Sequence, residues 1–143
     1  MRRVLIPIDG SECALRGVSL LVAERARQFE PADLEVHLVN VQVPFSRDIS
    51  RFASHEQIAT YHCEESEKLA QDARRLLDAA GVNYSFHPAV GQVAETIASL
   101  ADSLQCERIV MGTHGRSVLG ELLLGSTTLK VIHLASVPVL LAK

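Results

Sequence analysis

Apolar residues in this chain form short runs, separated by longer stretches in which they recur every three to four positions. Val4-Leu5-Ile6-Pro7-Ile8 is a run of the kind that suits a strand buried on both faces. It ends at Asp9-Gly10-Ser11, a turn followed by a helix-start signal. Leu15, Val18, Leu21 and Val22 then share a helical face, with Arg16, Glu24, Arg25 and Arg27 mostly off it. Pro31-Ala32-Asp33 breaks that period, and Leu34 to Val41 reads as a second strand. Residues 43–55 hold Pro44, Arg47, Asp48 and three serines, which predicts a mobile loop. The longest helical pattern spans 56–80. Leu69, Ala73, Leu76, Leu77 and Ala80 form its expected stripe, Glu64 and Lys68 an expected i,i+4 pair, and Gly81 its C-terminal cap. Tyr84 to Val90 gives a third strand, interrupted late by Pro88. Val93, Ile97, Leu100 and Leu104 mark a helix, Glu107 to Met111 a fourth strand, Ser126 to Leu134 a short helix and Val137 to Leu141 a last strand.

The order is βαβαβαβαβ, and each crossover exceeds the roughly dozen residues that parallel strands need. An open, doubly wound α/β sheet follows, in one domain over residues 1–143. Ligands of such sheets bind beyond the carboxyl ends of the strands, where strand order reverses. That places a site at the loops after the first and fourth strands.

Composition narrows the function. The 143 residues are 48% hydrophobic and 22% charged, ordinary for a globular domain and against wholesale disorder. Lys plus Arg is 14 and Asp plus Glu 17, a net charge of -3 with no basic run, which argues against a nucleic-acid partner. Cys13, Cys63 and Cys106 are odd in number and include no CxxC, so neither a disulfide framework nor a four-cysteine zinc site is expected. A reducing, cytoplasmic setting follows. No apolar stretch approaches the roughly 18 residues of a membrane helix. The short run after Arg2-Arg3 meets Asp9 too soon for a signal peptide.

The stretch from Gly112 to Thr128 carries the candidate chemistry. Glycines let a backbone approach a ligand closely and present bare N–H groups. Ser126 stands where a helix N-cap is expected, and a helix start offers unpaired donors and a positive dipole end that favour phosphate. Ser126, Thr127 and Thr128 add hydroxyls. On these residues alone, a phosphate cradle and a loop shaped by its glycines are equally good readings. Gly120 to Ser126 approximates Walker A spacing, but Ser126 stands in place of the lysine, and no GxGxxG follows a strand. A P-loop NTPase and a dinucleotide site are both disfavoured.

Gly112-x2-Gly115-x9-Gly125-Ser126 resembles the ATP-binding signature G-x2-G-x9-G-[ST] of the universal stress protein family. Val4 to Ser11 resembles that family's opening strand and turn, Ile109 to Gly115 its fourth strand and first glycines, and Ser136 to Leu140 its closing strand. The resemblance covers essentially the whole chain. It implies a Rossmann-like, adenine nucleotide α-hydrolase-like sheet of five parallel strands, order 3-2-1-4-5, with helices on both faces. It also implies a homodimer whose last strands, Val137 to Leu141, pair antiparallel. By position it puts Pro7 and Asp9 at an adenine nucleotide, with the Asp9 carboxylate meeting the ribose or a phosphate-bound Mg²⁺ (or Mn²⁺). Val41 matches the position whose backbone reads the adenine edge. Met111, Gly112, His114, Gly115 and Arg116 would line ribose and phosphates, and Gly125, Ser126 and Thr127 would hold the phosphates.

Each assignment has a plainer counterpart: Asp9 as a turn acid, His114 and Arg116 as solvated loop residues. His37, His55, His62, His87 and His133 lack ligand spacing and are expected to be structural or surface residues. Cys106 is expected to be buried and inert, Cys63 exposed and oxidisable without a resolving partner. Three functions fit. The first is a cytosolic ATP-binding stress-response regulator in which nucleotide orders the segment 116–125 and changes a surface that partners read. The second is a slow ATPase, for which only Asp9 and His114 offer a base, so no catalytic residue is assigned. The third is an interaction module that binds no nucleotide.

Overall fold

The structure is a computed structural model that describes residues 2–27, 33–113 and 124–143. In chain order it contains β1 (Arg2–Pro7), α1 (Glu12–Ala26), β2 (Leu34–Gln42), α2 (Arg47–Ser50), α3 (His55–Ala79), β3 (Tyr84–Val90), α4 (Val93–Ser103), β4 (Arg108–Gly112), α5 (Ser126–Leu134) and β5 (Val139–Ala142). The strands form one sheet in the order β3-β2-β1-β4-β5, with every neighbouring pair parallel. This is the architecture that the alternating pattern and the resemblance predict.

Side chains alternate across the pleat, so each central strand feeds two cores. Val4 and Ile6 of β1 join Val36 and Leu38 of β2 against α1 and α3, where Val18, Leu21, Ala73 and Leu77 are buried. Leu5 lies on the other face with Val39, Ile109 and Met111, covered by Ile97 and Ala101 of α4 and Val131 of α5. The sheet order reverses between β1 and β4. There α1 crosses β4 so closely that a Cβ on Gly17 would lie 3.7 Å from the Met111 Cα.

The structure departs from the sequence pattern in four places. α3 starts at His55 behind a capping box: Ser54 Oγ accepts the Gln57 N–H at 3.1 Å, and Gln57 Oε1 accepts the Ser54 N–H at 2.9 Å. Its buried face is His62, Ser66, Ala70, Ala73 and Leu77, while Leu76 is 39% exposed. Ala73 and Leu77 lie on it as expected, but small residues let the helix settle deeply, so the rest of the stripe runs through Ala70, Ser66 and His62 and not through Leu69 and Leu76. Arg74 pairs with Glu67 at 2.6 Å and Arg75 with Asp72 at 3.4 Å, in place of the expected Glu64–Lys68 pair. Secondly, the segment predicted as a loop holds the single helical turn α2. Thirdly, Pro88 sits inside β3 without ending it, because β3 is an edge strand that can spare an N–H. Lastly, β5 begins at Val139, two residues later than predicted. Pro138 contributes only its carbonyl, which accepts the Ile109 N–H at 2.9 Å.

Gly81 does close α3. Its φ is +62°, and the Val82 N–H returns to the Leu77 carbonyl at 3.0 Å, the six-to-one bond of a Schellman motif.

Candidate functional site

β1 ends at Pro7, and its last bond to β2 is the Ile8 N–H to the Val39 carbonyl at 2.8 Å. β2 continues to Gln42, so the main chain of Val41 projects past the end of β1. The chain leaving β1 turns sharply. Asp9 Oδ1 accepts the Ser11 N–H at 2.9 Å, and Ser11 Oγ caps α1 by accepting the Ala14 N–H at 3.1 Å. Asp9 is therefore a turn acid as well as a candidate ligand residue. Gly10 adopts φ +78° beneath Leu69. Behind this corner, Asn40 is 2% exposed. Its Nδ2 donates to the Ile8 carbonyl at 2.7 Å, and its Oδ1 accepts from Ser66 Oγ at 2.9 Å and Gln42 Nε2 at 2.8 Å. A buried amide with these partners ties the tip of β1 to β2 and α3.

On the other side of the switch, β4 ends at Gly112 and α5 begins at Ser126. The Gly125 N–H donates to the Thr113 carbonyl at 2.8 Å, and Thr128 Oγ1 donates to the Gly112 carbonyl at 3.2 Å. The end of β4 and the start of α5 are thus fastened together. The helix cap is Gly125, not Ser126. Ser126 is the first helical residue and is exposed, and the cap position makes no side-chain hydrogen bond. The first-turn N–H groups accordingly receive no side-chain acceptor from the cap.

Between these corners lies a cavity of 380 Å³. It brings together Pro7, Asp9, Val41, Met111, Gly112, Gly125, Ser126 and Thr127, all named from the sequence. His114, Gly115 and Arg116, and most of the segment 116–125, lie outside the described residues. The cavity also takes in Thr128, named from the sequence for its hydroxyl, and residues that the sequence reading did not single out for the site, among them Val39 and Ile97. Val39 was legible: it lies two residues before Val41 on the same strand face. Ile97 was not, because its helix joins the site only through sheet packing.

The lining combines an apolar set, Val39, Val41, Val93 and Ile97, with the start of α5 and its hydroxyls. No lysine or arginine is among the described lining residues. An anion here would be met by helix N–H groups and dipole. Among the described residues no three His, Cys, Asp or Glu side chains gather as a metal site. No helix among them is long and apolar enough to cross a membrane. Of the thiols, Cys106 is buried and pushed up to about 11 by desolvation, Cys63 is exposed, and Cys13 Sγ lies 3.6 Å from Thr113 Oγ1.

The sheet order, the cavity at its switch point and the open helix start define a doubly wound α/β protein with a small-ligand crevice. The chain belongs to the universal stress protein family, whose model matches residues 1–143. A universal stress protein of Methanocaldococcus jannaschii, MJ0531, is 29% identical over 142 residues, which cover 99% of this chain and 82% of that one. The solved structure of MJ0577, from the same organism, superposes with a TM-score of 0.81 at 28% identity, covering 99% of this chain and 95% of its own. The universal stress protein of Archaeoglobus fulgidus solved in complex with dAMP shares the fold at a TM-score of 0.69 and 21% identity, with 100% and 98% covered.

Proposed function

We propose that this chain binds an adenine nucleotide, ATP with Mg²⁺ or Mn²⁺, and acts as a cytosolic stress-response regulator whose occupancy alters its contacts with partner proteins. The observation that carries this reading is the cavity's mixed lining: apolar walls at Val39, Val41 and Ile97, and the uncapped start of α5 at Gly125, Ser126 and Thr127. Its 380 Å³ lies in the range of small-molecule sites, roughly 300–1,000 Å³. The base would enter between the valines and Ile97, with its edge against the projecting main chain of Val41. The phosphates would sit on the first turn of α5, where backbone donors and dipole meet negative charge.

Asp9 also lines the cavity, and a carboxylate facing phosphate directly would repel it. A divalent cation held mainly by phosphate oxygens and water would separate them. The dAMP bound by the Archaeoglobus relative supports the nucleotide class. A homodimer through β5 belongs to the same proposal. β5 is the edge strand Val139–Ala142, and beside it in sequence α5 exposes Leu129, Ile132 and Leu134.

The test is to denature freshly purified protein and identify the released small molecules by ion-exchange chromatography with mass detection. Adenine nucleotide at about one per chain is expected. A protein that releases none, and whose thermal midpoint does not move with millimolar Mg-ATP, would overturn the reading.

A further inference from the structure

On the α4 face of the sheet, just below the cavity, two histidines meet. His37 Nδ1 of β2 lies 2.9 Å from His87 Nε2 of β3, with ring centroids 5.1 Å apart. His37 is 5% exposed. Its Nε2 lies 3.3 Å from Glu35 Oε1, and Glu35 Oε2 accepts from Arg3 Nε at 3.1 Å. Arginine, carboxylate and two imidazoles thus form a row across β1, β2 and β3.

The row has room for a limited number of protons. With both rings neutral, one donates across the 2.9 Å contact and the other accepts. One added proton makes His37 a cation that donates to His87, while its Nε2, which makes no hydrogen bond, faces the Glu35 carboxylate at 3.3 Å as a charge partner. A second added proton sets N–H against N–H and two like charges side by side, and the contact cannot persist.

Among the described residues, α4 presents Ala94, Ile97, Ala98 and Ala101 to the sheet, Cys106 at its end has its thiol pushed up to about 11 by burial and is neutral, and the charged groups facing the pair are Arg3 and Glu35. Burial lowers the affinity of both rings for protons. Glu35 partly offsets this at His37, while His37 lowers His87 further.

The pair is coupled to the cavity through register. His87 stands opposite Val39 and Ala89 opposite Val41, and both valines line the cavity. β3 is an edge strand: among the described residues no strand pairs with its outer side.

We propose that the His37–His87 contact is a proton-operated clasp between β2 and β3, through which acid loosens the base-binding end of the cavity and weakens nucleotide binding. The consequence for binding rests on the nucleotide reading of the cavity; the clasp itself rests on the histidine geometry. The sign follows from the lowered proton affinity. Between the unfolded value near 6.5 and the lower folded values, the unfolded chain binds more protons. The clasp's stabilisation is complete above about pH 6.5 and declines as pH falls below it.

The test compares Mg-ATP affinity from about pH 7.5 to about pH 5 in the intact protein and in His87→Gln, whose amide keeps a neutral hydrogen bond but takes no proton. The ligand's own titration is common to both proteins. Wild-type affinity should fall by roughly tenfold more than that of the variant. Parallel curves would overturn the coupling. Histidine-ring and amide NMR titration of the wild type, without nucleotide, tests the clasp separately. The two rings should titrate in two coupled steps, with the amides of Ser85 to Ala89 shifting in the second, and independent ring titrations with unmoved β3 amides would overturn it. Should no nucleotide bind at any pH, the cavity reading fails, and the NMR titration still decides the clasp.

Discussion

Replacing Gly112 by alanine should lower stability by about 2–3 kcal/mol and disable the cavity at the same time. A Cβ at this position would lie 2.5 Å from the Cys13 carbonyl oxygen and 2.6 Å from its carbon. These are backbone atoms in the first turn of α1, so no side-chain rotation relieves the clash. Either α1 moves away from β4 or the end of β4 is displaced. Both shifts reach the site, because Gly112 lines the cavity and its carbonyl accepts the Thr128 hydroxyl that secures α5. Urea unfolding checks the first part and calorimetric titration with Mg-ATP the second. An alanine variant with wild-type stability would show that α1 and β4 do not pack as closely as described.

The second large effect separates binding from folding. Ser126→Asp should leave the fold intact and reduce nucleotide affinity roughly a hundredfold, about 2.7 kcal/mol. Ser126 is the first residue of α5 and is exposed, so a carboxylate fits sterically and interacts favourably with the helix dipole, contributing up to about 1 kcal/mol. The same carboxylate occupies the place proposed for phosphate and opposes its charge. Most site substitutions lose binding and stability together. This one should raise or hold the thermal midpoint while binding collapses. Binding that survives Ser126→Asp would move the phosphates away from α5.

The strands were legible because they are buried on both faces and read as near-continuous apolar runs. Val4 to Ile8 and Leu34 to Val41 differ from the observed β1 and β2 only at their ends. The helix stripes were harder to read. On α3 the buried positions besides Leu77 are alanine, serine and histidine, which carry little apolar signal, whereas Leu69 and Leu76 carry more signal and less burial. Close approach of α3 favours small residues, and only the packed structure reveals that. The glycine spacing pointed to the crevice that Gly112 and Gly125 line, yet it could not say that Gly125 would be the cap and Ser126 the first helical residue. A glycine and a serine both suit a helix start, and the difference of one residue depends on how Thr113 and Gly125 pair.

The chemistry that the motif did not carry came from distant positions. Asn40 and Ser66 lie 26 residues apart and hold the corner that presents Asp9. His37 and His87 lie 50 residues apart and meet only because β2 and β3 are in register. Neither pair has a spacing that a sequence pattern would flag.

The central claim is that adenine nucleotide occupies the crevice between the ends of β1 and β4. Its most direct test is amide NMR of the intact protein during titration with Mg-ATP. Shifts should concentrate at Asp9, Val41, Gly112, Gly125, Ser126 and Thr127, saturate together, and be absent from Ser126→Asp at the same concentrations. Saturable shifts confined to another face of the sheet, or none at millimolar nucleotide, would contradict it.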